Sequence, residues 1–141
     1  MSTEPGEDST ADSSLQGEIA QRLDALMLHQ TQFLIIEPRD SPYYVQFIPS
    51  EQGELYCEAV SNEYLDDEDR LAGDAELELI GLGWSSAEPN FKQLWDEPIP
   101  FNEVAERMAR TLIEVFGARG LDDVTFTYGD RTPPEPGPGP A

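Results

Sequence analysis

The chain has 141 residues and a formal net charge of −21, with 29 acidic residues against 8 basic ones and a hydrophobic share of 38%. That length supports one core of modest extent, and so negative a field repels phosphate backbones and anionic lipid, which excludes nucleic acid and membrane as charge-driven partners. A single cysteine, Cys57, excludes an intrachain disulfide and fits a reducing compartment.

The opening residues, MSTEPGEDSTADSS, lack the basic and apolar regions of a signal peptide, and no apolar run reaches transmembrane length. A cytoplasmic location is the expectation. Residues 1–13 hold almost nothing to bury and are predicted to be a disordered acidic tail. Residues 131–141, RTPPEPGPGPA, read as an extended Pro/Gly-rich tail, either solubilising or a ligand for an adaptor. One domain over 14–130 remains.

Leu15, Ile19, Leu23, Leu26 and Met27 recur at steps of three and four, which predicts a helix capped by Ser13 or Ser14 and fading near His29. The period then changes. TQFLIIE (31–37), YYVQFIP (43–49) and ELYCEAV (54–60) read as strands, and loops this short pair them antiparallel as a meander. Placing Ile48 opposite Glu54 sets Phe47 against Leu55, Val45 against Cys57 and Tyr43 against Ala59 as one apolar face.

The other face is mixed. Tyr44, Gln46 and Ile48 stand there beside Glu54, Tyr56 and Glu58, with Val60 beyond. The first strand offers Phe33 and Ile35 to one side and Leu34 and Ile36 to the other, so its orientation stays open. A sheet under one helix layer needs a single apolar face. This chain carries apolar side chains for two.

The acidic run NEYLDDEDRLAGDAELEL (62–79) is followed by a short helix predicted from about Asp74 to Leu82. NFKQLWD (90–96) reads as a fourth strand with Phe91 and Trp95 on one side. Asn102 is the expected cap of an amphipathic helix whose stripe is Val104, Ala105, Met108, Leu112, Val115 and Phe116, stopped by Gly117. DVTFTY (123–128) closes the chain as a short strand or docked segment.

Catalytic and metal chemistry find little support. His29 is the only histidine and no serine sits in a Gly-x-Ser-x-Gly turn, so a triad is not expected. One His and one Cys do not make a zinc shell. Cys57, mid-strand on the apolar face, reads as a packed hydrophobe. Asp67 and Asp69 start a calcium-loop spacing that fails at Leu71 and Ala72, leaving a solvated acidic face or a patch for a basic partner. GLGWSS lacks the third glycine and the lysine of a phosphate loop. No cofactor, metal or enzymatic activity is expected. Trp84 reads as a core plug or a partner contact, and Trp95 equally as either.

Five segments resemble the TY-Chap group, bacterial peptide-binding chaperone-like domains related to type III secretion chaperones and the YbjN family. They are YYVQF (43–47), CEAVSNEYL (57–65), LGW (82–84), PNFKQLW (89–95) and VAERMARTLIEVFG (104–117), in order over about 20 to 120. The resemblance implies an α+β fold: an N-terminal helix, an antiparallel meander of four to five strands, a short middle helix and a C-terminal amphipathic helix. It favours helix for 74–82. It also implies no catalysis, a homodimer, and capture of an extended peptide or protein segment on apolar surface.

The resulting expectation is a non-enzymatic, chaperone-like module whose partner-binding residues are Phe33, Ile35, Tyr44, Ile48, Tyr56 and Val60, with Trp95 at the rim, and whose client is basic. The alternative is a ligand- or ion-responsive regulator with a pocket under the Trp84–Trp95 loop, with Glu88 and Asn90 as its polar groups.

Overall fold

The computed structural model describes residues 4–28, 32–50, 52–85 and 90–130. His29, Thr31, Glu88 and the Pro/Gly-rich segment 131–141, each given a role above, lie outside them. The elements run α1 (Glu4–Leu26), β1 (Gln32–Pro38), β2 (Val45–Pro49), β3 (Leu55–Ala59), α2 (Gly73–Gly81), β4 (Phe91–Trp95), α3 (Phe101–Arg110) and β5 (Val124–Asp130). The fold is α+β, with one antiparallel sheet in the order β4-β3-β2-β1-β5.

Helix α1 begins at Glu4, so Ser13 and Ser14 lie inside it rather than capping it, and residues 4–13 are helical where composition predicts disorder. The part that packs begins where the apolar stripe does. Leu15, Ile19, Leu23 and Leu26 are each no more than 1% exposed, and burying a side chain of that size contributes about 1.5–3 kcal/mol relative to leaving it in water.

The meander forms as predicted, with its register displaced by two residues. Val45 pairs with Ala59, Phe47 with Cys57 and Pro49 with Leu55. The turn is wider than expected because Ser50 hydrogen-bonds on both sides of it: its N–H donates to the Glu54 carbonyl, and its Oγ accepts from the Gln52 and Glu54 N–H groups. A shift of two keeps every side chain on its face. Tyr43, freed from the ladder, instead stacks on Phe116 with ring centroids 5.1 Å apart and donates to the Asp69 carbonyl.

Strand β1 resolves its ambiguity through β2 and β5. Leu34 and Ile36 are fully buried in the core with Val45, Phe47, Leu55, Cys57 and the helix stripes. Phe33 and Ile35 point the other way.

The two tryptophans serve the helix side of the sheet. Helix α2 ends in two backbone bonds that satisfy its last carbonyls: Gly83 N–H to Ile80 and Trp84 N–H to Leu79, with Gly83 at φ 99°. This turn drives Trp84 into the core, where it is 2% exposed. Its Nε1–H donates to Thr111 Oγ1 at 3.0 Å, and Thr111 Oγ1 donates to the Arg107 carbonyl at 2.8 Å. At Thr111 the closing helix widens into a π turn over Thr111–Val115, in which Phe116 N–H reaches the Thr111 carbonyl. Helix α3 itself is entered through Pro100, whose carbonyl accepts from Val104, so Asn102 falls in the first turn instead of at the cap.

Replacing Trp84 by Ala is expected to cost about 3–5 kcal/mol in urea unfolding through the cavity left behind. Thr111→Val, which orphans the indole N–H, should cost about 1–3 kcal/mol. In Trp84→Phe/Thr111→Val the two losses should fall short of their sum, since neither polar partner remains.

Candidate functional site

The outward face of the sheet is where the remaining apolar side chains gather. The ladder sets Ile48 opposite Tyr56 and Tyr56 opposite Leu94. Extending the β1–β2 register by one step brings Phe33 beside Ile48, and Phe33 pairs on its other side with Gly129. One row thus crosses all five strands: Gly129, Phe33, Ile48, Tyr56, Leu94. The next row is Thr127, Ile35, Gln46, Glu58, Lys92. The Phe33 ring lies over Gly129, in space that any Cβ there would occupy. Phe33, Ile35, Ile48 and Tyr56 are half-buried, and Leu94 is 58% exposed. None of these five joins the core cluster, which holds the buried side chains of all three helices.

Three of the seven predicted residues meet the core, and the first, Tyr44, is partly buried and packed against it. Val60 is 1% exposed and packs in the core, although its N–H still bonds the Tyr44 carbonyl one step beyond the last β2–β3 pair. Trp95 is on the helix side of β4, its Nε1–H bonded to Gln93 Oε1 and the Arg107 guanidinium 5.2 Å from its ring. Strict alternation along NFKQLWD puts Leu94 outward when Phe91 and Trp95 face in. Leu94 is therefore the outward residue of β4 that the sequence reading omitted.

A polar group is built into this face. Tyr56 Oη donates to Glu58 Oε2 at 2.9 Å, and Asn90 Nδ2 donates to Glu58 Oε1 at 3.1 Å. Asn90, 5% exposed, is itself fixed by the Ser61 N–H on its Oδ1 at 3.0 Å, and its side chain also bonds Tyr44. Burial, the hydrogen bond to Glu58 and its charge push the Tyr56 hydroxyl up to about 12. Tyr44 is also raised, mainly by burial, with the Glu58 charge adding to it. Both phenols stay protonated across the physiological range.

The other chemistry-bearing residues are quiet. Cys57 is fully buried, and loss of solvation raises its thiol far above the ordinary range. Carboxylate oxygens of Asp66, Glu68 and Asp69 lie within 4.8 Å of one another on an acidic turn, and two of the three residues are exposed. Clefts of about 500 Å³ beside Ser14 and Arg119 and about 280 Å³ beside Leu26 and Tyr128 border neither Trp84 nor Trp95. Among the described residues no helix is long and apolar enough to cross a membrane.

A single helical layer on an antiparallel sheet, with apolar groups on the uncovered side, defines an α+β domain of the open-faced kind. The chain belongs to the TY-Chap3 family, the T3SS (YopN, CesT) and YbjN peptide-binding chaperone 3, whose model matches residues 10–127. No curated protein and no solved structure matches it.

The raised Tyr56 gives a titration to check. A hydroxyl held protonated in the fold contributes stability that is present below the ordinary tyrosine pKa near 10 and is lost as pH rises through about 12. Phenolate absorbance should show a late step near pH 12 that disappears in Tyr56→Phe and moves earlier in Glu58→Gln.

Proposed function

We propose that this domain is a non-enzymatic, chaperone-like binding module that captures an extended segment of a peptide or protein client on the outward face of its sheet. The capturing residues are Phe33, Ile35, Tyr44, Ile48 and Tyr56, joined by Leu94. The observation that carries this reading is the continuous apolar row from Phe33 through Ile48 and Tyr56 to Leu94, with the helices' buried side chains committed to the opposite face. Contiguous apolar surface of this kind usually marks a contact site. Membership of a peptide-binding family supports the same reading.

Binding would follow from burying a client's apolar side chains against this row, each contributing on the scale of a buried methyl or methylene cluster. A charge of −21 favours basic clients and sets a repulsive barrier against acidic ones. A cytoplasmic setting and a homodimer are part of this proposal.

The test is a paired capture experiment. The full chain and an Ile48→Asp/Leu94→Asp variant are immobilised, exposed to the same cell lysate, and their bound proteins identified by mass spectrometry. The wild-type chain should retain a defined set that the variant loses, while far-UV circular dichroism of the two coincides. Retention of the same set by both would overturn the sheet-face reading. Native mass measurement of the free chain should give twice the monomer mass.

A further inference from the structure

The outward face carries an apolar row beside a polar one, and in the polar row Glu58 is the carboxylate held by hydrogen bonds from its neighbours. Both of its carboxylate oxygens are engaged, but by a phenol and an amide, which are neutral donors. Such bonds orient a carboxylate without cancelling its charge. Lys92 stands opposite Glu58 in the ladder, yet among the described residues the ion pairs are Glu18–Arg22, Glu103–Arg107 and Arg110–Glu114. Glu58 is therefore a pre-oriented, half-buried anion with its charge unpaired.

Its neighbours suit a cation. Tyr56 is two residues away on the same face of β3, and Tyr44 lies diagonally across on the chain leading into β2, tied to the same Asn90. Phenol faces attract ammonium and guanidinium groups, and more so where water is partly excluded. The apolar row lies one pleat repeat away, roughly 6.6 Å along the strand. A lysine stem spans about that distance and covers apolar surface while its head stays polar.

Resting on the sheet-face reading above, we infer that Glu58, held by the Tyr56 hydroxyl and by the Asn90 amide that also bonds Tyr44, is the receptor for one Lys or Arg side chain of the bound segment. The occupant is an extended peptide in which a basic residue stands within two positions of apolar ones. The apolar row supplies capture, and Glu58 supplies register, because Tyr56 and Asn90 hold its carboxylate in one orientation. Asn90 is a positioning residue, acting through the carboxylate it holds.

The probe is a random dodecapeptide display library selected in parallel on four full-length proteins: wild type, Glu58→Gln, Glu37→Gln as a carboxylate control on the same face, and Ile48→Asp/Leu94→Asp. Glutamine keeps an acceptor oxygen for Asn90 and can donate its amide N–H to the Tyr56 hydroxyl, so the charge is lost while both contacts keep a partner, and coincident far-UV circular dichroism checks the fold. Wild type and Glu37→Gln should enrich peptides with Lys or Arg at a fixed distance from apolar residues, and Glu58→Gln should enrich apolar peptides without that position. For a selected peptide, replacing the basic residue with norleucine should weaken wild-type binding about tenfold, summing an exposed ion pair and a cation–π contact. The same replacement should leave Glu58→Gln binding unchanged. Basic enrichment that is equal in wild type and Glu58→Gln, or absent from both while apolar peptides are selected, would overturn the Glu58 inference and leave sheet-face capture standing. Failure to enrich any peptide, or enrichment of the same peptides by Ile48→Asp/Leu94→Asp, would overturn both.

Discussion

Pleating forces successive side chains of a strand to opposite sides, and the helices of this chain pack their buried side chains into one core. Leu34 and Ile36 are fully buried beneath them while Phe33 and Ile35, their immediate neighbours, are turned away. β2 and β3 repeat the same division. The inward set closes a core in which Leu15, Ile19, Phe47, Met108 and Leu112 show no exposed surface. The outward apolar residues stay outside that core among the described residues, half-buried at Phe33, Ile35, Ile48 and Tyr56 and largely in water at Leu94. The geometry of the candidate site is thus a direct consequence of having one helical core for a sheet that carries apolar side chains on both sides.

The segment between the two tryptophans links the layers. At one end, a glycine turn closes α2 and buries Trp84 against Thr111. At the other, Asn90 stands just ahead of β4 with its Oδ1 on the Ser61 N–H and its Nδ2 on Glu58. Between them Ser85 N–H bonds the Lys92 carbonyl, which ties the loop to the edge strand. The wedge that secures the core and the clasp that orients the outward carboxylate therefore belong to one short stretch of chain. A buried polar group such as Asn90 costs free energy unless its donors and acceptors are met, and here meeting them is what sets Glu58 in place.

Much of this was legible before any coordinates. The 3.6-residue stripes from Leu15 and from Val104, the alternation around Val45–Phe47 and Leu55–Cys57–Ala59, and the stop at Gly117 are local signals, and local signals survive folding when the core agrees with them. That Phe33, Ile35, Ile48 and Tyr56 stand outside the core was legible as a surplus of apolar strand positions. Val60 stays in register opposite Tyr44 yet is 1% exposed within the core cluster, a burial that alternation along β3 does not encode. Trp95 misled because size drew attention away from parity, which pointed to Leu94 instead.

The amino-acid order by itself determined the elements, their polarity and the surplus of apolar strand surface, since each depends on neighbours within a few positions. Tertiary structure alone decided which side of β1 faces the helices, where β5 joins the sheet, and how the turn at Ser50 displaces the register by two residues. It also decided that Asn90 and Tyr56 meet on Glu58. Asn90 lies 32 positions from Glu58, and contacts made over such separations depend on how the layers dock, which no local periodicity encodes.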